Sequence, residues 1–586
     1  MGSSERQAQR TGHGTAAESG AAGQEAPAGS GVPGQCSGEC GAGHGPSSSE
    51  RAAGGTGSAR GWASAAWRVP VFVTAAVVPL YLVWALWLAT GGGDLAAQFA
   101  WTRFAQDHSG SAYNLSWYGG MHTVNYSVLA PPLMALFGVR TVSVAAGLLG
   151  TWALAALVVR SGVRAPLWPA LMGAVVVWCN LASGRTTFAL GLAIGLLALL
   201  CVRRPVPAAV GAALATLASP VAGLFLVVAG AAYLLDRRPR VAVALLLPPA
   251  LVVGVTTVLF PFSGEMPMPA GKLWLPLLVS AAVVLAAPRA WPLVRYGAGI
   301  YGVGVVLTFF IPTPIGTNVE RLAGLAGPVV LLAAVLTVSA GVPRSAWPSR
   351  SRAGLARLLL VAVLVVNVSW LADKTEDDLG VSTAVPAWAQ HTDGVVRELE
   401  RLGAERTRVE VVPARNHREA TVLAPHINLA RGWNRQLDKE RGRLFYDGSL
   451  TEESYRQWLD RWAVGLVVLP HGRIDGPALG EAEIVRSEPA WLEKVWSDEG
   501  WTIYRVADAV PLVSPPAAVV SGDAGELVVR MPSAGSVTVR VAYSPWLRAE
   551  GACLREEGEY TRLTVERAGD YRLESGYRLP GTGDGC

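Results

Sequence analysis

Charge is what this sequence has least of. Asp, Glu, Lys and Arg make up 16% of 586 residues, where ordinary soluble domains carry roughly 25%. With 51% of its residues hydrophobic, a chain of this length cannot be one soluble globular unit. The formal net charge of +5 is small, and the arginines stand at the ends of apolar runs rather than in one patch. That distribution excludes nucleic acid as a partner. Also missing are a Walker loop, the glycine fingerprint of dinucleotide sites, HExxH and GxSxG, so ATP hydrolysis and the common metalloprotease and esterase chemistries have no support. No period of roughly 20 to 50 residues repeats, and no inverted duplication of the transporter kind is visible. Cysteine is sparse: six residues fall into three pairs, Cys36 with Cys40, Cys179 with Cys201, and Cys553 with Cys586. The redox state of each pair depends on the side of a membrane it faces.

Large apolar side chains are nearly absent from residues 1–66, which are Gly, Ala, Ser and Pro with scattered charges. Such a stretch cannot bury enough surface to offset its ordering entropy, and a disordered tail is expected. It lacks the apolar segment of a signal peptide near its start. Cys36, Cys40 and His44 share one loose spacing that falls short of a metal motif.

Apolar runs dominate from Val69 onward, and spans are expected near 69–90, 141–159, 166–182, 186–202, 206–218, 219–235, 241–260, 273–288, 294–312, 322–341 and 354–372. Several are shorter than the roughly 20 residues that a straight span needs. Cationic residues test the list. With Val124 to Gly138 treated as a surface segment, one set of loops collects Arg160, Arg164, Arg203, Arg204, Arg237 and Arg238 among others. The opposite set keeps only Arg103, Arg140, Arg185, Lys272 and Arg321. The positive-inside rule then makes the Arg-rich set cytoplasmic. The result is a polytopic α-helical membrane protein of about eleven transmembrane helices, its N-terminus inside the plasma membrane and everything after about residue 373 outside. Residues 206–235 leave a choice between two helices and one long tilted helix around Ser219-Pro220, and merging them would invert every later assignment.

Beyond the membrane domain, 67–372, charges run throughout. Short apolar stretches at Arg408 to Val412 and Gly465 to Leu469, alternating with helical segments at Thr392 to Leu402 and Thr451 to Trp462, predict an extracytoplasmic α/β domain over 373–510. From 511 to 586 the period becomes two, in Glu526 to Arg530, Ser536 to Val541, Thr561 to Val565 and Asp570 to Leu573, which predicts a small β-sandwich. Cys553 and Cys586 both lie there, outside the membrane, where a disulfide between them can persist.

The external loop, 91–140, holds Asp94, Arg103, Asp107, His108 and His122 amid Trp101, Tyr113, Trp117, Tyr118 and Tyr126. Two readings are open: the mouth of a site, or a connector whose aromatics sit in the lipid interfacial belt. Asp94 follows Gly91-Gly92-Gly93, where it can cap the next helix or accept a proton from an attacking hydroxyl. Arg321, beside Glu320 at the outer start of a span, can hold a phosphate bidentately or anchor the helix end. Arg185 and Lys272 are further phosphate candidates. His122 is either a second acid/base group or a hydrogen-bonded structural residue.

The order of one span, a loop opening Gly93-Asp94-Leu95, an aromatic segment running into Leu129-Ala130-Pro131-Pro132-Leu133 and Leu136-Phe137-Gly138, and a second span from Val142 resembles the start of membrane glycosyltransferases of the GT-C architecture. Ser183 to Leu200, Ser219 to Gly223, Leu429 to Trp433 and Phe445 to Asp447 also resemble uncharacterised actinobacterial and other bacterial relatives of that class. The likeness covers roughly residues 69–510. It implies a lipid-linked (polyprenyl-phosphate) sugar donor, a cell-envelope glycan or lipid acceptor, membrane lipids as surroundings, inversion at the anomeric carbon, and Asp94 as the catalytic base. Arg321, Arg185 and Lys272, with His122 and Asp107, would bind substrate. Many such enzymes carry two near-adjacent acids and use a divalent metal; here the next acid of the loop, Asp107, is thirteen residues away. Two alternatives from other classes are a secondary transporter of the MFS kind and a non-catalytic cell-envelope assembly protein.

Overall fold

The computed structural model describes residues 56–339 and 350–577. Cys36, Cys40, His44 and the expected disordered tail over most of its length lie outside the described residues, as does Cys586. Helix α1, Thr56–Val83, continues through a π-helical turn at Trp84–Leu88. The loop over 91–140 then forms α2, Asp94–Asp107, a small hairpin of β1, Tyr113–Asn114, with β2, Met121–His122, and α3, Ala130–Phe137. At eight residues α3 is far too short to cross a bilayer.

Ten apolar helices follow: α4 Val139–Arg160, α5 Leu167–Ala182, α6 Thr186–Leu200, α7 Pro205–Ala218, α8 Pro220–Leu235, α9 Pro239–Leu259, α10 Trp274–Ala286, α11 Pro292–Phe310, α12 Glu320–Ser339 and α13 Arg350–Ser382. Proline in the first turn opens α7, α8, α9 and α11, where its missing N–H costs no hydrogen bond. Among the described residues six helices are long and apolar enough to cross a membrane, those covering Trp67–Leu88, Val139–Arg160, Pro239–Leu259, Pro292–Phe310, Gly316–Val338 and Ala353–Ser382. The five segments Leu167–Ala182, Thr186–Leu200, Pro205–Ala218, Pro220–Leu235 and Ala270–Ala286 are apolar but shorter.

The chain reverses at Ser219. A Cβ at Gly223 would stand 2.4 Å from Thr216 Oγ1, although seven residues of continuous helix would separate them by about 10 Å. Helices α7 and α8 are therefore a hairpin rather than one tilted rod. Helix α13 runs on to Ser382, ten residues beyond the end expected near residue 372.

The region after α13 holds α14 Ala387–Gln390, α15 Asp393–Arg401, α16 Glu419–Val422, α17 Arg435–Arg441, α18 Leu444–Asp447, α19 Glu452–Arg461 and α20 Leu479–Arg486. They surround a sheet of β3 Arg408–Val411, β4 Val464–Pro470, β5 Leu492–Ser497 and β6 Trp501–Val506, in the order β3-β4-β6-β5. Strands β3 and β4 are parallel and the other two pairs antiparallel. The unbroken apolar run of β4 is explained by cover on both faces. Val467 and Leu469 pack with Tyr455, Trp458 and Leu459 of α19. Leu466 and Val468 pack in the cluster that contains Trp101, Trp117 and Tyr118 of the external loop. These loop aromatics are thus buried against the α/β sheet, not placed in a lipid belt.

Seven more strands, β7 Ala518–Gly522, β8 Glu526–Met531, β9 Gly535–Val539, β10 Leu547–Ala549, β11 Ala552–Glu557, β12 Tyr560–Val565 and β13 Gly569–Ser575, form sheets β10-β13-β8-β7 and β11-β12-β9. Their alternating residues, among them Leu527, Val529, Leu563, Val565 and Leu573, meet in one core that Tyr113 and Leu115 of the loop complete. Cys553 is disulfide-bonded, while Cys179 and Cys201 are free.

Candidate active site

Asp94 is the first residue of α2, and Gly93, at φ 62°, occupies the cap position. The carboxylate therefore lies in the first turn, where the unpaired N–H groups favour negative charge. The glycine run before it is fastened from the external domain. Gly93 N donates to Asn416 O at 2.8 Å, and Trp433 Nε1 donates to Gly93 O at 3.1 Å. Arg418 donates to Thr90 O at 2.6 Å and to Ser382 O at 2.7 Å, tying the end of the first span to the end of α13. A Cβ at Gly92 would stand 2.7 Å from Ser382 O, so only glycine fits this crossing.

The turn between α5 and α6 meets the same helix start. Gly184 has φ 77°, and a Cβ there would be 2.9 Å from Leu95 N and 3.3 Å from Asp94 Cβ. This contact sets Arg185 beside Asp94, with Nε 3.8 Å from Asp94 Oδ2. Its Nη2 donates to Asp378 Oδ2 of α13 at 2.8 Å. The Arg185 side chain is 13% exposed and that of Asp94 42%, so the acid is the group that solvent or a ligand can reach.

Arg321, one residue into α12, stacks over the Phe188 ring with its Cζ 5.2 Å from the centroid. It lies in the fields of Arg185, Asp94 and Asp378. Tyr126 of the external loop closes this group, hydrogen-bonded to Gln98 and stacked on Trp101 at 5.7 Å. Burial, aided by the charge of Asp94, pushes its phenol well above the usual tyrosine range. A cavity of about 330 Å³ opens alongside, lined by Lys272, Trp274, Glu320, Trp370, Lys374 and others. Burial raises the pKa of Glu320, and the charges of Lys272, Lys374 and Arg185 oppose that rise.

Two expected residues stand elsewhere. Asp107 ends α2, about 20 Å from Asp94 at 1.5 Å per residue, and pairs with Arg103 at 2.5 Å. His122 is buried, with Nε2 2.9 Å from Ser544 Oγ and Nδ1 3.3 Å from Pro261 O. Burial lowers its pKa to about 4, so it is neutral at physiological pH. Its contacts join the loop to the sandwich and not to Asp94. Asp378 and Lys374 are the groups that sequence reasoning missed. Their signal was the acid-rich run Asp373, Lys374, Glu376, Asp377, Asp378 directly after the last apolar stretch.

Residues 514–586 match the family described as a domain of unknown function, DUF8823. No curated protein matches the chain. Among solved structures the chain is similar to the cryo-EM structure of the arabinofuranosyltransferase AftD from Mycobacteria. That similarity has a TM-score of 0.40 and 17% identity, over 83% of this chain and 42% of that one. The chain thus spans less than half the length of that protein.

The arrangement places the accessible carboxylate of Asp94 beside Arg185 and Arg321, next to a cavity that mixes Lys272 and Lys374 with Glu320, Asp373 and Asp377. A second acid, Asp378, stands near it, but the guanidinium of Arg185 already fills the role of a bridging cation between the two. Among the described residues no three His, Cys, Asp or Glu side chains gather as a metal-ligand set. The residues present therefore do not fit a divalent metal.

Proposed function

We propose that this chain is a membrane glycosyltransferase acting on the extracytoplasmic face, moving a sugar from a polyprenyl-phosphate carrier to a hydroxyl of a cell-envelope glycan or lipid. The observation that carries this reading is Asp94, a part-exposed carboxylate on a tightly fastened loop, 3.8 Å from Arg185 and within the field of Arg321. In the reaction the acceptor hydroxyl gives its proton to Asp94. Its oxygen bonds to the anomeric carbon from the face opposite the carrier, and the bond from that carbon to the carrier phosphate breaks. The departing phosphate takes up negative charge, which Lys272 and Lys374 meet at the cavity while Arg185 and Arg321 supply fixed positive charge behind it.

This reading takes all eleven apolar helices as spans, with the N-terminus cytoplasmic and the region after α13 outside. The segregation of arginines supports that plan. A transporter would place its polar groups at mid-membrane, whereas Asp94, Arg185, Glu320 and Arg321 all lie at or just before the first residues of helices.

The test joins topology to chemistry. A reporter fused after α13 and another inside the 91–123 loop should both read outside, and membranes carrying the protein should form product from polyprenyl-phosphate sugars. Asp94→Asn should abolish product at normal membrane levels. Product unchanged in Asp94→Asn would remove Asp94 as the base, no product from the unaltered protein would favour the assembly-protein alternative, and a cytoplasmic reading after α13 would favour a transporter.

A further inference from the structure

A second and larger cavity, about 780 Å³, runs along the other side of α2 from Thr90 and Gly91 to His108. Three parts of the fold close it: the external loop with the start of α4, the α/β domain through Thr421 and Ile427, and the sandwich through Asp523. Two hydroxyls on its wall have no partner among the described residues. Thr102 is 6% exposed and Ser116 1%, and neither Thr102 Oγ1 nor Ser116 Oγ makes a hydrogen bond. Buried hydroxyls without partners are unfavourable, and turning either oxygen toward a ligand in the cavity would satisfy it.

The character of the wall narrows the ligand. Its charges come balanced: Arg103 pairs with Asp107 at 2.5 Å, His108 faces Asp523 at 3.8 Å, and Arg140 is spent on Ala89 O at 2.8 Å. Its two arginines, Arg103 and Arg140, and two aspartates, Asp107 and Asp523, sum to no net formal charge, so the wall as a whole favours neither an anion nor a cation. Gln106 keeps its amide oxygen and Asn114 its amide N–H groups for a ligand, Gln106 Nε2 being bonded to Ala135 O and Asn114 Oδ1 to Ser116 N and Trp117 N, while Phe99, Phe104 and Trp117 line the remainder. Neutral hydrogen-bonding groups mixed with aromatic rings suit a ligand with hydroxyls at its edges and C–H groups on its faces. The volume lies in the upper part of the range for ligand sites, roughly 300–1,000 Å³, with room for several sugar rings.

We infer that this cavity binds a neutral oligosaccharide, lying along α2 with one end at Gly91 beside the loop that carries Asp94. Resting on the transferase reading, it is the acceptor-binding cleft, in which remote sugar units hold the chain while the terminal hydroxyl reaches Asp94.

The experiment is binding of the purified full chain, in lipid nanodiscs, to an immobilised array of neutral and anionic oligosaccharides. The Asp94→Asn protein serves as the baseline, so that turnover plays no part. Neutral glycans should be retained by this protein, and Thr102→Val with Ser116→Ala should weaken retention at least tenfold. Gln106→Ala, at an exposed position, should weaken it several-fold without touching the buried wall. Absence of any neutral glycan signal, preference for anionic glycans, or full binding by a folded Thr102→Val/Ser116→Ala protein would overturn the inference. Retention of neutral glycans by a chain that never forms product would instead count against the transferase reading and leave the cavity assignment standing.

Discussion

Arg185 Nη2 lies 2.8 Å from Asp378 Oδ2, a pairing between residues 193 positions apart that joins the turn before α6 to the outer end of α13. Asp94 stands 3.8 Å from the same guanidinium. One arginine thus holds two carboxylates that come from different helices, a geometry that a planar fork can serve and a single ammonium cannot. Arg185→Lys should keep the charge and the fold but lose transfer by about tenfold or more, as expected for a misplaced positioning group. Product formation measured beside membrane abundance checks it, and wild-type rates in a normally inserted Arg185→Lys protein would refute the assignment.

Gly184→Ala tests the contact between that turn and α2. The alanine would have to hold φ near 77° with its Cβ 2.9 Å from Leu95 N. Backbone strain of this kind costs of order 1–3 kcal/mol, and the start of α2 must shift to relieve the close approach. Lower thermal stability together with reduced transfer is expected. A substitution harmless to both would mean that the turn can withdraw from α2.

His122 makes a pH prediction. Its folded pKa, lowered by burial to about 4, lies below the unfolded value of about 6.5. Between those values the unfolded chain binds a proton that the fold resists. Stability from this residue is therefore fully present above about pH 6.5 and is lost as pH falls toward 4, by up to about 3 kcal/mol. Glu410 and Glu481, buried around Arg431, run the other way, because burial raises their pKa values. The measurement is accordingly a difference: His122→Gln should flatten the fall in melting temperature from pH 6.5 to 4 relative to the wild type. Identical slopes in the two proteins would contradict the burial argument.

Arg418 is the clamp between the apolar helices and the α/β region that follows α13. It is 4% exposed and donates to Thr90 O, Thr90 Oγ1, Ser382 O and Ala384 O. Arg418→Met keeps the apolar stem and removes all four bonds, at a cost of about 2–4 kcal/mol given the carbonyls left without partners. Accelerated proteolysis of the connection after α13 should accompany the loss. Unaltered cleavage in Arg418→Met would show that the joint is held by packing alone.

Much of the architecture could be read along the chain because its causes are local. Apolar runs became α1 and α4 to α13, since a helix satisfies its own backbone groups wherever water is scarce, and Ser219-Pro220 divides α7 from α8 as a local break must. Residues 526–531 and 560–565 alternate and form strands β8 and β12, with every second side chain turned into the core. The pairing of strands and the site are another matter. Sequence placed Asp94 and Arg185 on one side of the membrane but could not bring them together, and it grouped Asp107 and His122 with Asp94 because all three share one loop. Helix α2 holds Asp107 about 20 Å away, and His122 is drawn to Ser544, 422 residues distant. Spacing along a chain determines which face of an element a residue occupies. Which faces then meet was decided only when the helices, the sheet and the sandwich packed, because those contacts join residues whose separation leaves no period in the sequence.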